Sequence, residues 1–174
     1  MSSQPSTLSE AFTVEVETDE KCGHLISEVW KNRAGIVSRL GNLPAERTWD
    51  AKTGLILRET YKKAGLLHRD DDGPAEVYYA IVEDESRIEC VEWYKNGIMT
   101  RSDDEPAAVS LDPVTGLTWH EEYRDKNGDL HRQGGKPALI FRDPQTKKFT
   151  QVEHYVHGEF QDQSKNLGPS FPEM

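Results

Sequence analysis

The chain has 174 residues, a formal net charge of −10, 35 % hydrophobic residues and 30 % charged residues. These values suit one domain or a short repeat array with a modest core, and they disfavour nucleic acid and anionic membranes as partners, because phosphate binding needs a basic surface. Two cysteines, Cys22 and Cys90, are too few for a disulfide framework. The beginning of the sequence lacks a signal-peptide pattern, and no apolar stretch reaches membrane-helix length, so we expect a cytoplasmic protein.

The first predicted element is a strand in "AFTVEVET" (residues 11–18), where Phe12, Val14 and Val16 alternate with polar residues. We expect this strand to cover one edge of a sheet, because an open edge invites aggregation. It belongs to a predicted N-terminal segment, residues 1–23, which precedes a repeat domain at 24–162 and a C-terminal tail at 163–174.

The rest of the chain repeats itself every 30–32 residues. Five units share a turn glycine: Gly35, Gly65, Gly97, Gly128 and Gly158. Four residues later the first four units carry an arginine: Arg39, Arg69, Arg101 and Arg132. Nine residues after the glycine they carry Pro-Ala: Pro44-Ala45, Pro74-Ala75, Pro106-Ala107 and Pro137-Ala138. Columns spaced this regularly predict a repeat architecture.

A further column precedes each glycine and consists of Glu, any residue and an aromatic residue. Its members are Glu28/Trp30, Glu59/Tyr61, Glu92/Tyr94, Glu121/Tyr123 and Glu153/Tyr155. Each glutamate lies before the turn, and in the first four units the arginine lies after it. We therefore expect cross-strand ion pairs in those units, for example Glu92 with Arg101.

The local chemistry of each unit predicts strands and turns. Segments such as "ECVEWYK" alternate and are rich in β-forming residues. Asn96-Gly97 and Asn127-Gly128 favour type I′ turns, in which both residues need positive φ, and the later proline interrupts a ladder because it has no N–H to donate. We predict an all-β fold: a repetitive antiparallel β-hairpin array forming an extended, solenoid-like sheet of about five units, each bent near Pro-Ala.

The unit of an aromatic residue, Asn-Gly, Leu-His-Arg and Asp-Gly-Pro-Ala resembles the MORN-like repeats with an "LHREDGPA" signature. The best copies are "GLLHRDDDGPA" (65–75) and "GDLHRQGGKPA" (128–138), and the resemblance covers about residues 27–170. The period of 30–32 residues is longer than that of the ordinary MORN unit. Some bacterial relatives in that family are antitoxin components, so the resemblance implies a β-hairpin array that binds a partner protein.

The sequence offers no complete catalytic or metal-binding constellation. His68, Arg69 and the following aspartates could be a general base or a cation loop, but the position of His68 is Ser38, Thr100 and His131 in the other units, which indicates a structural column. Nucleophile, phosphate-loop, dinucleotide and metal-ligand patterns are missing from the sequence. We therefore expect a protein that is not an enzyme and binds no cofactor or metal.

The predicted partner-binding residues lie in acidic loops and beside turns. They are Asp70, Asp71, Asp72, Asp103, Asp104, Glu105, Trp49 and Trp119. The acidic residues occupy the same loop of adjacent units, so we expect them to lie side by side, and exposed tryptophans make good interface anchors. A merely solvated loop rim is the competing interpretation.

Together these features predict a protein partner with a basic surface, such as a toxin. The chain would then be an immunity protein or antitoxin that neutralises its partner by occlusion. Two alternatives stay open: a structural or scaffolding repeat protein of a phage or assembly complex, and an acidic nucleic-acid mimic.

Overall fold

The structure is a computed structural model and describes residues 11–102 and 104–162. It confirms the all-β prediction, because ten strands form one open antiparallel main sheet whose spatial order follows the order of the chain. The strands of the main sheet are β1 (Phe12–Thr18), β2 (Leu25–Asn32), β3 (Glu46–Trp49), β4 (Ile56–Thr60), β7 (Glu76–Val82), β8 (Glu85–Glu92), β11 (Ala108–Leu111), β12 (Thr118–Glu122), β13 (Leu139–Arg142) and β14 (Phe149–Glu153).

A short hairpin leaves the main sheet around each turn glycine. In units two, three and five its strands are β5 (Lys62–Lys63), β6 (Leu66–Leu67), β9 (Tyr94–Lys95), β10 (Ile98–Met99), β15 (Tyr155–Val156) and β16 (Glu159–Phe160). In units one and four the hairpin contains a single bridge, Lys31 with Val37 and Arg124 with Leu130. Each repeat is therefore a long hairpin whose outer part forms a short ladder or a single bridge, and in the first four units the chain returns to the main sheet just after Pro-Ala.

The predicted edge strand is confirmed. Strand β1 is the outermost strand of the main sheet and pairs with β2 from Phe12 opposite Asn32 to Thr18 opposite Leu25. It covers the backbone edge that β2 would otherwise expose. Among the described residues, no helix has the length and apolar character that crossing a membrane requires.

The core is a row of side chains where the main sheet meets the small hairpins. The four alanines of the Pro-Ala column are completely buried: Ala45, Ala75, Ala107 and Ala138. Their carbonyls accept hydrogen bonds of 2.7–2.8 Å from the backbone N–H groups of Trp30, Tyr61, Trp93 and Tyr123. Since a packed interior has no spare volume, a larger residue in the alanine column would have to displace its neighbours.

An arginine guanidinium covers an aromatic ring in each of the first four units. The distances from guanidinium carbon to ring centroid are 3.7 Å for Arg39 and Trp30, 4.2 Å for Arg69 and Tyr61, 4.0 Å for Arg101 and Trp93, and 3.6 Å for Arg132 and Tyr123. The aromatic column predicted from sequence is therefore wrong in unit three, where Trp93 and not Tyr94 takes part. In unit five the column position is occupied by His154 and not by Tyr155. The His154 carbonyl accepts the Gln161 N–H, just as the Tyr61 carbonyl of unit two accepts the His68 N–H.

The expected ion pair of Glu92 with Arg101 does not form. Glu92 accepts a hydrogen bond of 2.9 Å from the Tyr94 hydroxyl, whereas Arg101 lies 2.7 Å from the Glu105 carboxylate. Successive side chains on a strand point to opposite faces, so a glutamate directly before Trp93 cannot reach the arginine that covers Trp93. In unit one the predicted type of pair exists, since Arg39 lies 3.6 Å from Glu28.

The turns follow two chemistries. Asn96 and Gly97 have φ values of 51° and 83°, which confirms a type I′ turn. Asn127 is not among the residues with positive φ, so the same prediction is wrong for Asn127-Gly128.

The turns at the opposite ends of the strands are stabilised by aspartate side chains. Each of these side chains accepts hydrogen bonds from the backbone N–H groups two and three residues ahead; they are Asp19, Asp50, Asp112 and Asp143.

Consecutive small hairpins are joined through the column that contains His68. Ser38 Oγ accepts the Ala64 N–H at 3.2 Å, and His131 Nδ1 accepts the His157 N–H at 3.3 Å. In the same way His68 Nδ1 accepts the Asn96 N–H at 3.1 Å. A ring nitrogen that accepts a hydrogen bond carries no proton, so the other nitrogen of a neutral imidazole is the donor. His68 is thus a link between repeat units.

Candidate functional site

Two carboxylates in the acidic loop of unit two form ion pairs with side chains of the same unit. Asp70 lies 2.9 Å from Lys63 Nζ and 2.9 Å from His68 Nε2, and the hydrogen bond from Lys63 followed by that from His68 lowers the pKa of Asp70. Asp71 lies 2.7 Å from Arg69 Nε. Asp72 has positive φ, and its carbonyl accepts the Trp93 indole N–H at 3.0 Å. Within the described residues, the Asp72 carboxylate has no ion pair or hydrogen bond, which leaves it available to a partner.

The acidic loop of unit three is also paired internally. Asp104 contacts Lys136 and lies 2.7 Å from Arg132 Nε; the hydrogen bond from Arg132 is the main cause of the lowered pKa of Asp104. Glu105 pairs with Arg101. Asp103 lies outside the described residues. These loops are therefore less open to a basic partner than the bare sequence suggests.

The loops of consecutive units are in contact, in the order that the repeat predicts. The Asp70 N–H lies 3.3 Å from Asn42 Oδ1 of unit one, and Trp93 of unit three bonds to the Asp72 carbonyl. Asp104 in turn reaches Arg132 of unit four. The contacts that join the loops are hydrogen bonds and ion pairs of opposite charge, so the acidic residues are not arranged as a continuous row of free carboxylates.

The two predicted tryptophans lie at the opposite ends of the strands from the small hairpins. Trp49 is half-buried and faces Ile56 at the end of β3. Trp119 is exposed, at 37 %, and its ring centroid lies 5.7 Å from that of His120. The topology therefore separates the tryptophans from the acidic loops along the strands, and they do not form one site with those loops.

A ridge of apolar side chains at the hairpin tips was not predicted. Ile36, Leu66 and Ile98, the residues directly after the turn glycines of units one to three, are 44 %, 51 % and 42 % exposed. Each lies against the glycine of the next unit, because a Cβ added to Gly65 or Gly128 would meet Ile36 or Ile98 at 3.1 Å. We call these three side chains the tip ridge. The sequence signal was the apolar residue after the column glycine, which becomes Asp129 and Glu159 in units four and five.

The described residues show little that could perform metal chemistry. Among residues 11–102 and 104–162, no group of three or more His, Cys, Asp or Glu side chains is placed to hold a metal ion.

The two cysteines are free thiols. Cys22 is exposed and Cys90 is half-buried, and burial raises the pKa of the Cys90 thiol. A thiol with a raised pKa is a poor nucleophile at neutral pH.

Comparisons with protein-family models, with curated proteins and with solved structures found no match to this chain.

Proposed function

We propose that this protein is a non-enzymatic binding module that neutralises a partner protein, such as a toxin, by covering its active site, as an immunity protein or antitoxin does. The observation that carries the proposal is the tip ridge, in which three large apolar side chains are exposed in consecutive, stacked hairpins. Contiguous exposed apolar surface is typical of protein interfaces. The resemblance to MORN-like repeats supports the same class of function.

The charge of the chain favours a basic partner. The net charge of −10 is a property of the whole molecule, so the internal pairing of Asp70, Asp71 and Asp104 does not remove it. An acidic protein attracts a basic one over about 8 Å at physiological ionic strength, which speeds their encounter. Within this arrangement the tip ridge supplies the buried contact, and Asp72 supplies a carboxylate that has no partner in the part of the chain that the structure describes.

Occlusion needs a surface that keeps its shape, and the repeat provides one. The backbone N–H groups of Gly65 and Gly97 donate to the carbonyls of Val37 and Leu67 in the preceding hairpins, at 3.0 and 2.8 Å. These bonds fix the spacing of the three tips. A preorganised surface loses less conformational entropy on binding than a flexible one does.

Affinity capture from cells of the source organism, followed by mass spectrometry, tests the proposal. The ridge variant is Ile36→Ser/Leu66→Ser/Ile98→Ser. Its control is Val16→Ser/Val114→Ser/Phe149→Ser, which removes three apolar side chains that are still more exposed but lie elsewhere. We expect the parent chain and the control to retain one basic protein in stoichiometric amount, and the ridge variant to lose it.

The neutralising role is tested by expressing the captured protein with and without this chain. Growth arrest that the parent chain relieves and the ridge variant does not relieve supports the proposal. Equal capture by the ridge variant would contradict the role of the ridge. A harmless captured protein, or a stable homo-oligomer without another component, would support the scaffolding alternative instead.

A further inference from the structure

The junction between units three and four differs from the other junctions of the array. At the other three, the turn glycine donates its N–H to the preceding hairpin: Gly65 to Val37 at 3.0 Å, Gly97 to Leu67 at 2.8 Å and Gly158 to Leu130 at 2.9 Å. Gly128 instead donates to Asp125 in its own turn, at 3.0 Å. The hydrogen bond that would join hairpins three and four is therefore missing from this junction.

This difference in hydrogen bonding results from the turn of unit four, which is longer than the turns of units two, three and five. Asp125 Oδ1 accepts the N–H groups of Asn127 and Asp129, at 2.9 and 3.2 Å, so the turn satisfies its own donors. Thr100, which stands in the column of Ser38 and His68, accepts no turn N–H among the described residues. Both links that join the other small hairpins are thus replaced here by bonds within one turn.

A cavity of about 750 Å³ opens at this junction. Its walls include the basic side chains of Lys95 and Arg101 from unit three, and of Arg124, Lys126 and Arg132 from unit four. Arg101, Arg124 and Arg132 have carboxylate partners in Glu105, Glu122 and Asp104. The walls also contain the carboxylates of Asp104, Glu105 and Asp125. Among the described residues, Lys95 and Lys126 form no ion pair, so they are the wall cations available to a ligand.

The cavity also presents further hydrogen-bond donors. The rings of His131 and His157 are stacked at 4.2 Å with an angle of 7° and line the same space. Because His131 Nδ1 accepts the His157 N–H, the neutral His131 ring carries its proton on Nε2.

We propose that this junction is a binding site for a small polyanion with at least two phosphate or carboxylate groups. One group would contact Lys95 and the other Lys126, so the ligand would join hairpins three and four where the repeat lacks its own hydrogen bonds. The volume is within the range of small-molecule sites, and planar guanidinium and ammonium groups are the usual partners of such anions. The site is independent of the proposed protein partner, because it requires only the isolated chain.

Isothermal titration calorimetry with pyrophosphate, at constant ionic strength, tests the site. The site variant is Lys95→Gln/Lys126→Gln, and its control is Lys52→Gln/Lys148→Gln, which removes two exposed lysines from other turns. We expect one pyrophosphate per chain, unchanged affinity in the control and affinity about tenfold weaker in the site variant, from two exposed charge contacts. Acetate, with one carboxylate, should bind much more weakly than pyrophosphate.

Thermal unfolding and NMR provide independent readouts. Pyrophosphate should raise the Tm of the parent chain and the control, because a ligand that binds only the folded state stabilises it. It should also shift the ring resonances of His131 and His157. Equal loss of affinity in the control would show general charge attraction, and the absence of binding at millimolar pyrophosphate would likewise overturn the proposal. If citrate binds tightly and pyrophosphate weakly, the ligand class is a polycarboxylate.

Discussion

Arg69 covers the face of Tyr61, with its guanidinium carbon 4.2 Å from the ring centroid. The same side chain lies 2.7 Å from Asp71 and donates to the Pro74 carbonyl at 3.3 Å. The Arg69 side chain therefore contacts the aromatic ring, the acidic loop and the proline bend of the same unit. The stack on an aromatic ring is common to all four arginines of the column, whereas the predicted pair with the column glutamate forms in unit one, between Arg39 and Glu28.

Arg69→Ala should lower the free energy of unfolding by about 1–2 kcal/mol, because it removes a cation–π contact and hydrogen bonds in a half-buried place. Arg69→Lys should have an intermediate effect, since lysine keeps the charge but not the planar stack. Urea denaturation measures both changes. Arg33→Ala, in an exposed turn, is the control and should leave stability nearly unchanged. An equally small loss for Arg69→Ala would contradict the proposed role of the stack.

His68→Ala should loosen the contact between hairpins two and three, because it removes the acceptor of the Asn96 N–H. We expect faster amide hydrogen exchange at Asn96 and a loss of about 1 kcal/mol in unfolding free energy. Thr100→Ala is the matched control, since Thr100 occupies the same column without accepting a turn N–H in the described part of the chain. Unchanged exchange at Asn96 in His68→Ala would refute the link.

Glu92→Gln should raise the Tm at neutral pH. Glu92 faces Glu76 on the neighbouring strand, and burial raises the pKa of Glu92 above 4.5, its ordinary value. A carboxyl whose folded-state pKa is raised destabilises the folded protein while it is ionised, and this cost disappears as the pH falls below the unfolded value. The gain should therefore be present at pH 7 and vanish near pH 4. Glu89→Gln, on an exposed position of the same strand, is the control; a gain independent of pH would argue against ionisation as the cause.

His120 should titrate below 6.5, its ordinary value, because burial lowers its pKa. Its ring stacks on Phe141 with centroids 4.5 Å apart. A histidine with a lowered folded-state pKa favours folding while it is neutral, so its contribution is lost as the pH falls from about 6.5 through the folded-state value. NMR titration of the His120 ring protons measures the midpoint directly. A midpoint at or above 6.5 would be inconsistent with the buried stack.

The repeat, the strands and most turns could be predicted because they depend on local chemistry. Asn96-Gly97 accepts positive φ at both positions, and alternation in "AFTVEVET" marks a strand whose partner lies beside it in the sequence. The same turn and strand pattern recurs in each of the five units, so the repeat predicts the hairpin array more strongly than any single unit does.

The faces and partners of individual side chains could not be predicted in the same way. In "EWY" either aromatic residue fits the column, and only the strand register places Trp93 against Arg101 and turns Tyr94 to the other face. The partners of Asp104 are equally remote in sequence, since Arg132 and Lys136 belong to the next unit.

The five-unit, all-β hairpin array with a covered edge follows from the amino-acid sequence alone, because turn geometry and alternation are properties of neighbouring residues. Three features depend on the folded arrangement of the units: the acidic loops are largely neutralised, the hairpin tips form an apolar ridge, and the turn of unit four bonds to itself and not to hairpin three. The apolar ridge and the pairing of Asp104 arise from contacts between units, whereas Asp70, Asp71 and Glu105 pair within their own units. The turn of unit four is longer than the turns of units two, three and five, Gly128 donates its N–H within this turn, and a cavity of about 750 Å³ lies beside it.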